Sequence, residues 1–179
     1  MTEPFQSTTL HQTDTTMNAR ANALADRLER GVSALSTFAS QLTTAEWETR
    51  VPKDGRTVGV VVHHVASVFP TEIHLAQILA SGKPVTGVTT ADIHAMNAAH
   101  ANDHVDVTKE EALRLLERNG AAAAVAVRAL SDEQLDRAAP ASLYEDAPIT
   151  TQFMLEDHAV RHSYHHLMLL RLALGRQAA

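Results

Sequence analysis

Four histidines fall within nine residues near the C-terminus: His158, His162, His165 and His166. On a helix advancing about 100° per residue they share one side with Leu155, Leu169, Leu172 and Ala173, while Glu156, Ser163 and Arg171 fall on the other. The cluster is therefore expected to face an apolar core. Several imidazoles packed there need a common partner, because a buried polar group is costly unless it is satisfied. A divalent metal ion is such a partner, and two histidines at i and i+4 sit one turn apart and can bind the same ion. Two pairs have that spacing, His158 with His162 and His162 with His166, and His162 belongs to both.

A third ligand is available upstream. His64 lies on the helical stripe of Val60, Val61, Val68, Leu75, Ile78 and Leu79, whereas His63 points roughly 100° away and is expected at an edge or in solvent. On its own, His64 reads more readily as an ordinary core histidine than as a ligand. Three protein ligands with a position left open is the arrangement of a catalytic metal site. His94, His100 and His104 form another group. His100 and His104 are also i,i+4 and share a stripe with Ile93 and Asn97, which reads as a polar edge with Asn97 reaching a cavity, or alternatively as a second metal pair. His74 and His11 have no evident partner and read as solvated.

The composition limits what else these residues could be doing. The 179 residues include 11 His against seven aromatics, 30 Ala, seven Gly and no Cys. Without cysteine there is no disulfide framework and no thiolate nucleophile. Any metal must be held by His, Asp or Glu, and any thiol must arrive as a cosubstrate. Fifteen basic and 21 acidic residues give a net charge of −6, the opposite of a nucleic-acid footprint, so no nucleic-acid partner is expected. No apolar run approaches the roughly 18 residues of a membrane span, and the N-terminus lacks a signal-peptide layout. A cytoplasmic protein with no membrane partner is the expectation.

The elements that must position the histidines follow from helical periodicity. Alanine-rich composition argues against a sandwich or barrel. Residues 1–17, rich in Ser and Thr, read as a disordered tail, with Met17 as an alternative start; residues 18–179 read as one domain. Ala21, Leu24, Ala25, Leu28, Val32, Leu35 and Phe38 recur at helical spacing to about Leu42. A connector with Trp47, Pro52 and Asp54-Gly55 precedes a helix capped by Thr57 and running to about Ala80, with a kink or short break expected at Pro70. A third helix is expected from Thr89 or Thr90 to His104. Thr108 and Glu111 form a capping-box pattern opening Lys109–Leu130, and Ser131 and Gln134 form another opening a short helix. Residues 138–149 read as a loop with no strand, and a last helix is expected from Thr151 to Leu174 with Gly175 past its end. The sum is an all-α four-helix bundle with short pieces in the connections.

Taken together, Trp47, the run Asp54-Gly-Arg-Thr-Val58, His63-His64-Val-Ala66 and the terminal His162-Ser-Tyr-His-His166 resemble the DinB/YfiT-like superfamily over roughly residues 20–175. Its relatives include mycothiol-dependent maleylpyruvate isomerase N-terminal domains and bacillithiol transferases. The stretches Asp92–Ala101 and Thr108–Glu111 resemble actinobacterial members. The resemblance implies a bundle in up-down-down-up order, often dimeric, so a homodimer is expected. It implies a divalent metal, usually Zn or Ni, held by His64, His162 and His166, which selects the second of the two i,i+4 pairs. His165 matches a histidine that precedes the last ligand without itself binding. Leu167 and Met168 stand where the family carries a basic residue and a polar pair, a departure that bears on substrate contacts.

Characterised relatives use the metal to activate a low-molecular-weight thiol or a water. The resemblance therefore implies a metal-dependent thiol transferase or hydrolase, acting on a small-molecule substrate by S-transfer, isomerisation or hydrolysis, with mycothiol or another small thiol as possible cosubstrate. The alternative is a non-catalytic metal-binding stress or sequestering bundle. Glu72 and Asn97 are the candidate catalytic residues near such a site, Glu72 for acid/base work or support of a ligand. His94 and His165 are the candidates for contacting a bound cosubstrate.

Overall fold

The computed structural model of the chain describes residues 18–176. The tail expected over residues 1–17, the alternative start at Met17, His11 and residues 177–179 lie outside them.

Four long helical segments enclose one core. Helix α1 (Ala19–Ser40) buries the expected stripe from Ala21 to Phe38. A single turn, α2 (Thr44–Trp47), is held by a capping box between Thr43 and Glu46. Helix α3 (Val58–Ala80) starts at Thr57, whose hydroxyl accepts from the Val60 amide at 3.3 Å. Helix α4 (Thr90–Asp103) has its own capping box, Thr89 with Asp92, yet none of its residues is buried. Helices α5 (Lys109–Arg128) and α6 (Asp132–Asp136) follow. The last segment is α7 (Thr151–Leu155), a π turn (Glu156–Val160) and α8 (Arg161–Ala173).

Contacts between these helices define the bundle's directions. Helix α5 runs antiparallel to α1, with Gly120 against Val32 and Arg128 paired to Asp26 and Glu29, each at 2.7 Å. It runs parallel to α3, with Asn119 at Ala66 and Ala122 and Ala123 beside Phe69, Pro70 and Ile73. The last segment runs parallel to α1, from the Arg27–Glu156 ion pair to Arg171 over the Phe38 ring, and antiparallel to α3. This is the up-down-down-up order. Two parallel neighbours cannot be joined by a tight turn, so α3 and α5 require a long crossover, and α4 lies within it.

Four expectations are corrected. Of the two alternatives at Pro70, the break is absent, since α3 is continuous through it. Proline cannot donate to the carbonyl four residues back, and that carbonyl, on Ala66, instead accepts from Asn119 Nδ2 of α5 at 2.9 Å. The segment read as loop contains two three-residue strands, β1 (Ala138–Pro140) and β2 (Pro148–Thr150), paired antiparallel with Ala138 opposite Thr150. Three residues are too few to show a two-residue alternation. Only half of the Thr108 capping box forms: Thr108 accepts from the Glu111 amide at 3.2 Å, but the Glu111 side chain does not return to the Thr108 backbone. Finally, the last helix is not continuous α-helix, because the π turn inserts one extra residue.

One close approach ties the connector to the bundle. Gly59 faces the Trp47 ring so closely that an added Cβ would lie 2.4 Å from it, while Trp47 Nε1 donates to the Val107 carbonyl at 3.0 Å. Both helix caps flanking this contact fix the backbone, so Gly59→Ala is expected to cost about 2–3 kcal/mol. A urea unfolding midpoint unchanged from the parent would contradict it. Among the described residues no helix is long and apolar enough to cross a membrane.

Candidate metal centre

Helix α3 carries His64 and, two turns on, Glu72; helix α8 carries His162 and His166 one turn apart. Because the two helices are antiparallel neighbours, these four side chains meet between them. His64, Glu72 and His166 are buried and His162 is half-buried. One nitrogen from each of the three imidazoles lies within 4.8 Å of those of the other two. Ring centroids are 5.2 Å apart for His64 and His162, 5.4 Å for His64 and His166, and 4.8 Å for His162 and His166.

Glu72 sets the orientation of one ring. Its Oε1 lies 2.5 Å from His162 Nδ1. An ionised carboxylate only accepts, so the imidazole donates through Nδ1 and keeps the Nε2 lone pair free. The other two rings have no such protein partner: His64 Nδ1, His166 Nδ1 and Glu72 Oε2 are buried without hydrogen bonds. Orphaned buried nitrogens on converging imidazoles fit a divalent ion, and the all-nitrogen donor set suits Zn or Ni better than a hard cation.

The electrostatics agree with ligands held neutral. Burial pushes His64 down to about 2, helped by the positive charge of Arg56 and by His162 and His166. Burial likewise pushes His166 down to about 3, with His162 and Arg56 adding to it. Neutral imidazole is the form that binds metal.

Arg56 is a site residue that helical patterning does not find. Its guanidinium grips Asp54 through two bonds of 2.7 Å, holding that carboxyl below its ordinary range, and leaves Nη1 buried without a partner. The signal was present in the Asp54-Gly-Arg-Thr-Val58 run, but as part of a motif rather than as a charge beside a cavity. That cavity, of about 650 Å³, opens from His64, His162 and His166. Glu72, Asn97, His94 and His165 all line it, His94 and His165 as exposed residues.

The π turn explains one misplacement, and packing explains two more. An extra residue in the helix rotates everything before it relative to everything after it, so His158 leaves the stripe of His162 and His166. It still lines the cavity, but lies against Tyr144, whose hydroxyl donates to Asp157 at 2.7 Å and sits 3.0 Å from His158 Nε2. Burial, and then the Asp157 hydrogen bond, push the Tyr144 phenol upward, so it keeps its proton. Nothing in the 138–149 stretch signalled Tyr144. Ser163, expected on the outer side, is 1% exposed, because α8 packs against α1 as well as α3. Gly31 leaves room there, with an added Cβ 2.9 Å from the Tyr164 ring. His63, expected at an edge or in solvent, is also buried, covered by His100 and His104 of α4. His74 is exposed, in line with its reading as solvated.

A four-helix bundle with converging histidines at the contact of its antiparallel α3 and α8 defines a class of potential metal-binding proteins. The chain belongs to the DinB superfamily, whose family model matches residues 27–170. Among solved structures it is similar to YfiT from Bacillus subtilis, described as a probable metal-dependent hydrolase with an unusual four-helix bundle topology. The two share 20% identity over 98% of this chain and 95% of that one, with a TM-score of 0.69. It is also similar to the mycothiol-dependent maleylpyruvate isomerase, at 17% identity over 84% of this chain and a TM-score of 0.65, spanning 60% of that protein. No curated protein matches the sequence.

Proposed function

We propose that this protein is a metal-dependent enzyme acting on a small molecule, by thiol transfer, isomerisation or hydrolysis, with His64, His162 and His166 as the ligands. The observation that carries this reading is the convergence of three imidazoles, one oriented by a buried carboxylate, on the floor of a cavity of about 650 Å³. A divalent ion held there would lower the pKa of a thiol or water and make a nucleophile near neutral pH.

The chain's own residues supply the rest. Glu72 holds His162 in one tautomer and one orientation through the hydrogen bond. Arg56 lines the cavity and brings positive charge to it, suited to an anionic group on the substrate. The protonated Tyr144 hydroxyl, paired with Asp157 and His158, lies on the same wall. Asn97 and His94 bound the outer side, where a cosubstrate would enter. With no cysteine in the chain, the thiol would come from solution.

Metal analysis of protein expressed with Zn and Ni supplied should find bound metal, and a small thiol should shift the absorption spectrum of the cobalt-loaded protein. Metal binding with no spectral response to thiol or substrate analogue would instead favour the non-catalytic alternative, and absence of metal would overturn the reading. Glu72 gives a graded check. Glu72→Gln keeps an acceptor but loses the charge, so metal affinity is expected to fall about tenfold, and Glu72→Ala nearer a hundredfold. Equal affinities for Glu72→Ala and the parent would remove Glu72 from this role.

A further inference from the structure

Beside the first cluster is a second one that the proposed function does not use. His63 of α3 and His100 and His104 of α4 also present one nitrogen each within 4.8 Å of one another. His63 Nδ1 lies 2.9 Å from His100 Nε2, and the His104 ring is 4.1 Å from that of His63 and 4.7 Å from that of His100, centroid to centroid. We propose that His63, His100 and His104 form a second divalent-metal site, distinct from the first and joining α4 to the bundle.

Two observations support a cation here rather than a stack of rings alone. First, the hydrogen bond between His63 and His100 satisfies only one nitrogen of His100, and its Nδ1 is buried with no partner. Second, His100 lies in the last turn of α4 and His104 caps its end, where unpaired carbonyls carry partial negative charge that favours a cation. Around a tetrahedral ion with bonds of about 2.0–2.1 Å, ligand nitrogens lie roughly 3.3 Å apart, so the observed spacings need only small side-chain shifts.

The location gives the site a consequence. Helix α4 buries none of its residues, so apolar packing contributes little to holding it. Its residues Ile93, His94, Met96 and Asn97 nevertheless form a wall of the first cavity. An ion bridging α3 and α4 would fix that wall in place. The rings of His64 and His100, one from each cluster, are 5.5 Å apart, so the two sites are neighbours.

Equilibrium dialysis against Zn²⁺, with hydrogen exchange read on the α4 amides, tests this on the full chain. The native protein is expected to take up two equivalents. His104→Gln should take up one and exchange its α4 amides at least tenfold faster in the presence of Zn²⁺. His162→Ala should keep one equivalent with α4 protection unchanged. His100→Gln repeats the first variant within the exposed helix, and circular dichroism confirms that each is folded. A single native equivalent lost in His162→Ala, or two equivalents retained in His104→Gln and His100→Gln, would overturn the second site while leaving the first. A single native equivalent lost in His104→Gln and kept in His162→Ala would uphold the second site and overturn the first. No uptake by the native protein overturns both.

Discussion

Replacing His162 with alanine is expected to weaken binding at the first site by more than a hundredfold. Structural zinc in small domains contributes about 10–16 kcal/mol over its ligands, so each ligand accounts for about 3 kcal/mol, and 1.4 kcal/mol is tenfold in affinity. His162 is the most exposed of the three imidazoles, yet its loss reaches furthest. It is the ring that Glu72 orients, and its removal leaves a carboxylate that is only 6% exposed without its hydrogen bond. A charge-assisted bond of that kind is worth about 2 kcal/mol, so the variant should also be measurably less stable without metal. Competition with a chromophoric chelator reads the affinity and urea unfolding reads the stability. An affinity within threefold of the parent would show that the ion, if bound, does not use His162.

The second large effect is on acid stability. In the unfolded chain an imidazole takes up its proton near pH 6.5, but in the folded protein burial holds His64 down to about 2 and His166 down to about 3. Between those limits the unfolded state binds more protons, so stability falls as pH falls, by about 1.4 kcal/mol per unit for each group once well below pH 6.5. The metal-free protein should therefore lose roughly 3 kcal/mol between pH 7.5 and 5.5. The double variant His64→Gln, His166→Gln should show a much flatter profile over the same range. Urea midpoints measured after dialysis against chelator would settle the matter. A parent protein whose midpoint does not move over those two pH units would contradict the burial account.

The helices were readable because their signal is local. Apolar spacing in α1, the Thr57 and Ser131 caps, and Gly175 beyond α8 each depend on a few neighbouring residues. The convergence of His64, His162 and His166 was also within reach, since two helical stripes of apolar residues each carried histidines and the family resemblance chose between two pairings. What patterning could not supply depends on contacts far apart in the chain. Asn119 serving the Ala66 carbonyl removes the expected break at Pro70, and only the fold brings those residues together. His63 looked peripheral because a wheel drawn for α3 alone does not include α4. The π turn shifted His158 by one residue, and no residue type in Glu156–Val160 marks it.

Helix α4 separates two design problems that most enzymes must solve with the same residues. It adds little to the core, since none of its 14 residues is buried and Ala101 alone among its apolar side chains packs against that core. Positions such as Ile93, His94, Met96 and Asn97 can then vary with little effect on folding while changing the shape and polarity that an incoming molecule meets. A bundle built this way presents a different cavity by exchanging one crossover segment, and a library confined to those four positions would explore that range with little demand on the stability of the scaffold.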